Sequence, residues 1–176
     1  GFEALLRWQR TDGRLVLPQE FIPLTEETGL IVQLGGWALR QACRQLRAWQ
    51  VEFPSQTPLT VAVNISPRQL EHPDFVDEVA SAIRESGIAP NSLHLEITET
   101  ALVDGSDVMI ARLRQLKELS VRLFLDDFGT GYSSLSYLHR FPLNTIKVDR
   151  SFLHQVEEKA AGEGLLVPAI ITLAKK

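Results

Sequence analysis

Five short runs along the chain alternate aliphatic residues with a second line of small, aromatic or polar ones. They are FEALLRW (2–8), LTVAVNIS (59–66), SLHLEITE (92–99), VRLFLDD (121–127) and TIKVD (145–149). A period of two predicts strands. Between them the spacing turns helical, and helices are predicted at 25–49, 73–86, 106–119, 133–139 and 164–175. Thr25 is the expected cap of the first, with Glu26 and Glu27 near its positive end. Asp74 precedes the second, and Gly87 follows it as a stop. The third carries Val108, Leu113, Leu116 and Leu119 toward the core. No linker or low-complexity run intervenes, so one continuous domain, 1–176, is expected.

Strands alternating with helices indicate βα units and a largely parallel sheet. A doubly wound open sheet fits that alternation as well as a barrel does, and strand parity separates them. One line is aliphatic throughout: Val61, Val63, Ile65; Leu93, Leu95, Ile97; Val121, Leu123, Leu125; Ile146, Val148. The other carries Ala62 and Asn64; His94, Glu96 and Thr98; Phe124 and Asp126; Lys147 and Asp149. Four successive strands thus bring polar residues to one face near their C-terminal ends, where a (β/α) barrel assembles its active site. A doubly wound sheet would scatter them, so the barrel is preferred.

Composition excludes several classes. The residues are 44% hydrophobic and 23% charged, with a net charge of −4. No global basic field draws the chain to DNA, RNA or anionic lipid. The single Cys43 forms no intrachain disulfide and suits a reducing compartment as core filler on a helix. No run approaches a membrane span and no secretory pattern opens the sequence. A cytoplasmic segment is expected, with any membrane anchor elsewhere in a longer parent chain.

Adjacent Asp126 and Asp127, followed by Gly129 and Gly131, raise the chemical question. Two neighbouring acids repel, and burial at a strand end removes their hydration. With Glu96, Asn64 and Glu3 they supply oxygen ligands for hard divalent cations, and a bridging acid suits two ions about 3.5–4 Å apart, as in phosphate-ester hydrolysis. Each residue also has a plainer reading. Asp127 could cap the helix at 133–139, Asn64 could be a turn residue before Ser66-Pro67, and Glu96 and Glu99 a solvated strand end. Glu3 could be an exposed edge acid and Lys147 a lone surface ammonium. The histidines (His72, His94, His139, His154) lack metal-ligand spacing, which disfavours zinc. His94 reads as a hydrogen-bonded residue below the acids.

These residues carry a family resemblance. Glu3-Ala4-Leu5 in FEALLRW, the run FIPLTEETGLI (21–31), Asn64 to Leu70 (NISPRQL), Glu96 to Thr100 (EITET), DDFGTGYSSLSYL from Asp126 and Lys147-Val148-Asp149 resemble, in order, the motifs of the EAL family of cyclic di-GMP phosphodiesterases. The resemblance implies an α/β fold, a modified TIM-like (β/α)8 barrel, hydrolysing cyclic di-GMP to linear pGpG with two Mg²⁺ or Mn²⁺ ions. By resemblance, Glu3, Asn64, Glu96, Asp126 and Asp127 hold the metals, Asp126 bridging. Lys147, Asp127 and Glu3 are the catalytic set, Lys147 orienting the attacking water. Arg7 and Asp149 bind substrate, Arg7 gripping a phosphate oxygen. Glu99 anchors the Asp127–Ser134 loop. A homodimer and an attached sensor or cyclase domain are implied partners.

A (β/α)8 barrel takes about 250 residues, against 176 here. Five strands are legible, and the family's preceding strand and its later glutamate-bearing strand are not. A partial domain of a longer protein is therefore expected. A silent cyclic di-GMP receptor, a protein-interaction module and an unrelated metal-dependent barrel enzyme are the competing readings.

Overall fold

The computed structural model describes residues 1–102, 106–129, 138 and 140–149. Five strands form one parallel sheet: β1 (Phe2–Ala4), β4 (Val61–Ile65), β5 (Leu93–Thr98), β6 (Arg122–Phe128) and β7 (Thr145–Val148), in that spatial order. Each strand joins the side of the one before it, without the reversal of a doubly wound sheet. This α/β architecture is a partial TIM-like barrel.

Parity explains which way the sheet faces. The aliphatic line, including Val63, Leu95, Ile97, Leu123 and Leu125, is buried. It packs under α2 (Leu30–Glu52), α4 (Phe75–Ser86) and α5 (Asp107–Glu118), whose Leu39, Leu46, Val79, Leu113 and Leu116 complete the core. Cys43 lies in this layer at 0% exposure, as core filler, and burial pushes its thiol up to about 12. The second line of side chains is left facing inward, free to build a site.

The first predicted helix is two. α1 (Pro18–Glu27) ends before Gly29, whose φ of 76° breaks the path, and α2 begins at Leu30. Thr25 therefore lies inside α1, its hydroxyl donating to the Ile22 carbonyl at 2.7 Å, and Glu26 and Glu27 sit at its negative end. The start is held instead by Glu20, whose Oε1 accepts the Leu17 N–H at 3.2 Å. The apolar spacing continued through the break, so periodicity alone ran the two helices together.

Other boundaries also moved. FEALLRW is a strand only over Phe2–Ala4, and Trp8–Gln9 (β2) pairs instead with Leu15–Val16 (β3) as a hairpin. Ser66-Pro67 opens a short helix, α3 (Pro67–Glu71), with Ser66 and Gln69 capping each other. Gly87 ends α4 at φ 72°, but the Asp74 side chain makes no cap bond. Val108 points to solvent, while Leu113 and Leu116 are buried. The predicted helices at 133–139 and 164–175, with His139 and His154, lie outside the described residues.

Two adjacent glycines of α2 make a testable contrast. A Cβ on Gly35 would stand 2.1 Å from Nε2 of Gln69, and one on Gly36 1.9 Å from Oε1 of Glu78. Gln69 is buried and locked by its reciprocal bonds with Ser66, so it has nowhere to go. Glu78 is half-buried and held by Arg40 at 2.7 Å, so it can swing outward. Gly36→Ala should be close to neutral, because the lost ion pair and the helix-propensity gain are each up to about 1 kcal/mol. Gly35→Ala should destabilise by about 1–3 kcal/mol through overpacking. Urea unfolding of the two variants checks this, and equal midpoints would refute it.

Candidate active site

Glu3, Asn64, Glu96, Asp126 and Lys147 come from five different strands and share the inner face near the strands' C-terminal ends. Register sets their neighbours: Asn64 stands beside Glu96, and Thr98 beside Asp126. Asn64 Nδ2 donates to Glu3 Oε1 at 2.8 Å. The Lys147 ammonium lies against Glu96 Oε1 and 3.7 Å from Asp126 Oδ2. One row of groups thus runs across the sheet from β1 to β7.

Burial divides these residues. Glu96 is 1% exposed, and apart from Lys147 neither of its oxygens receives a donor among the described residues. Burial is the main influence on Glu96 and pushes its carboxyl above the usual range, against the pull of Lys147. For Lys147 burial acts downward, but its hydrogen bond and charge contact with Glu96, helped by Asp126 and Glu3, hold the ammonium above its ordinary value. Burial opposes the charge on each partner, while their contact supports it on both. The short contact and the surrounding negative charge favour the ionised pair, with Glu96 the partner that is costly to keep charged. Beneath it, His94 and Phe124 stack with ring centroids 4.5 Å apart. Burial, then Arg122, lowers the His94 imidazole from its ordinary value.

Asp127 breaks the alternation. The register slips between Leu125 and Phe128, and Asp127 has φ 54°, a left-handed conformation that non-glycine residues adopt at a cost. Its N–H donates to Asp126 Oδ1 at 3.1 Å. Burial first, then the charges of Asp126 and Asp149, raise its carboxyl from the ordinary value. The slip is what allows two consecutive acids to stay near one site. Just beyond, the Glu99 carboxylate, 1% exposed, accepts the Gly129 N–H at 2.7 Å. Asp149 is half-buried, and its N–H donates to the Phe128 carbonyl at 3.0 Å. Arg7 lies past the end of β1 and is exposed, its guanidinium donating to the Leu6 carbonyl at 2.6 Å.

Several plainer readings fall here. Glu96 and Glu99 are not a solvated strand end, Lys147 is not a lone surface ammonium, and Asn64 sits in β4 and not in a turn. Glu3 is exposed but bonded to Asn64. The helix that Asp127 was to cap lies outside the described residues. Thr98, paired with the Thr100 hydroxyl at 3.0 Å, joins the rim without a signal in the sequence beyond its parity. A cleft of about 700 Å³ takes in Glu3, Arg7, Asn64 and Thr98 between β1 and α2, and its lining does not reach Glu96, Asp126 or Lys147.

The donor set is carboxylate and amide oxygen, which suits hard divalent ions. Glu96, a buried carboxylate with no neutral donor among the described residues, is what such an ion would satisfy, so the residues fit. Among the described residues no three acidic, His or Cys side chains stand close enough to grip an ion as they are. No helix of the described residues is long and apolar enough to cross a membrane.

A sequentially wound parallel barrel segment here gathers its acids at the C-terminal strand ends, the position where (β/α) barrels assemble their sites. The chain belongs to the EAL domain family, whose model matches residues 1–176. It is 41% identical over 175 residues to the bifunctional diguanylate cyclase/cyclic di-GMP phosphodiesterase MucR of Pseudomonas aeruginosa, covering 99% of this chain and 25% of MucR. It is 44% identical over 174 residues to the cyclic di-GMP phosphodiesterase NbdA of the same organism, covering 99% of this chain and 22% of NbdA. The solved PaMucR phosphodiesterase in complex with c-di-GMP superposes with a TM-score of 0.85 at 41% identity, over 98% of this chain and 69% of that one. The EAL enzyme Bd1971, in its cAMP- and cyclic-di-GMP-bound form, gives 0.84 at 32% identity, over 98% and 47%. The chain thus spans about a quarter of the length of these curated relatives.

Proposed function

We propose that this chain is the catalytic part of a phosphodiesterase that uses Mg²⁺ or Mn²⁺ to hydrolyse cyclic di-GMP to linear pGpG. The observation that carries the reading is Glu96: a buried carboxylate on the inner face with Lys147 as its one close donor among the described residues, flanked by Asn64 and Asp126. Glu3, Asn64, Glu96, Asp126 and Asp127 would hold the ions. When bound, the ions acidify a water and neutralise charge on the phosphoryl oxygens.

The remaining roles fall to this chain's own groups. Lys147, once turned toward the phosphate, donates to the attacking water's oxygen and fixes its line of approach. Arg7, exposed at the cleft, presents a planar cation to a non-bridging phosphate oxygen. Asp149 adds an acceptor on the substrate side. Glu99 holds Gly129, and with it the end of β6 that carries Asp126 and Asp127. On this reading the protein works in the cytoplasm as a homodimer, joined to a sensor or cyclase domain, in keeping with the bifunctional name of MucR.

The test is direct. The protein incubated with cyclic di-GMP and Mg²⁺ or Mn²⁺ should release pGpG, resolved by chromatography. No product with either ion overturns the hydrolytic reading, and binding without turnover would mark a receptor instead.

A further inference from the structure

We infer that Lys147 is a built-in counter-ion: in the ion-free protein its ammonium holds the place of a divalent cation between Glu96 and Asp126, and it must leave when an ion binds. The inference rests on the ion site proposed above and adds how that site is kept before loading. It starts from the surroundings of Glu96. On β6 its register partner is Phe124, and one step below it on β5 is His94, stacked on that ring. Beside His94 stands Ala62, buried and without a polar side chain. The carboxylate is 1% exposed, and none of these neighbours donates a hydrogen bond to it. A buried anion so enclosed requires a cation close by.

Lys147 meets that need from the neighbouring edge of the sheet. Its ammonium touches Glu96 and lies 3.7 Å from Asp126. These two carboxylates are also among the residues the proposed site assigns to the ions. An ammonium and a divalent ion cannot both sit in contact with the same two oxygens, because their mutual repulsion at such a distance is large. Loading is therefore an exchange. The ion enters, the ammonium swings away on its four-carbon stem, and Glu96 is never left without positive charge. Leaving Glu96 turns Lys147 toward the phosphate, where the proposed mechanism uses it. The exchange also accounts for the absence of a ready three-ligand cage among the described residues: Glu96 and Asp126 are drawn to the ammonium, and Glu3 is tied to Asn64.

The test measures ion binding without substrate. Titration calorimetry with Mn²⁺ compares the wild type with Lys147→Met and Lys147→Arg. Lys147→Met should bind Mn²⁺ about tenfold more tightly or better, because no cation has to be expelled. Lys147→Arg should stay near the wild type. Equal or weaker binding by a folded Lys147→Met protein, judged by circular dichroism, overturns the exchange. That variant strips the partner from a buried acid, so the wild type supplies a second reading. Acylation of the Lys147 amine, followed by mass spectrometry, should rise severalfold when Mn²⁺ is added; unchanged or reduced labelling overturns the exchange. Mn²⁺ bound equally by both proteins removes the exchange alone and leaves the proposed function standing. Mn²⁺ bound by neither removes the ion site and the exchange together.

Discussion

Asp126→Asn should lower the rate of cyclic di-GMP hydrolysis by about a hundredfold or more while leaving the protein folded. The substitution is isosteric, and the Asp126 side chain is 24% exposed, so it buries no new unpaired charge. What it removes is one negative charge beside Glu96. Ions bound by carboxylates contribute several kcal/mol to phosphoester transition states, and each 1.36 kcal/mol is about tenfold in rate. Weaker ion binding and slower chemistry should therefore appear together: Mn²⁺ affinity falls in calorimetry, and turnover stays low at saturating substrate. Unfolding temperature should change little. An Asp126→Asn protein with near-normal turnover would remove Asp126 from the site.

The second large effect is on stability as well as rate. Glu99→Ala deletes a buried carboxylate that accepts the Gly129 N–H. Losing a charge-assisted bond and leaving a part-buried donor unmet costs about 1–3 kcal/mol, and the small cavity adds to it. A total near 3 kcal/mol corresponds to a fall in Tm of about 6–12 °C for a chain of this size. Because Gly129 follows the Asp126-Asp127 pair closely, turnover should also fall in protein kept below its new Tm. Glu99→Gln, which retains an acceptor oxygen and the shape, should recover much of the Tm. A scanning calorimetry trace in which the Ala and Gln variants melt with the wild type would contradict this account.

The structure shows where the sequence was legible and where it was not. Strand alternation separated the buried line from the inward one, because side-chain direction in a strand follows directly from position. That rule alone places Glu96, Asp126 and Lys147 on one face. Burial of Glu96 and Glu99 could not be read, since it depends on which rings and loops close over them. Asp127 could not be placed either, because a register slip cancels the rule that consecutive residues face opposite ways. The α1–α2 break was missed for a related reason: the apolar period runs through Gly29, and only the backbone turn there reveals two helices. The β2–β3 hairpin was missed because each strand is two residues long, below what alternation can signal.

The strand order has a consequence during synthesis. Among the described residues each strand of the five-stranded sheet after β1 pairs with the sheet strand translated before it, the small hairpin forming a sheet of its own. Among the described strands no earlier pairing has to be reopened to admit a later one, so this part of the sheet can grow by accretion as the polypeptide leaves the ribosome. Chain growth at about 5–20 residues per second leaves each new strand seconds to find a waiting neighbour. Assembly of this protein should therefore be vectorial, its early strands acquiring protease resistance while the ribosome is still translating the later ones.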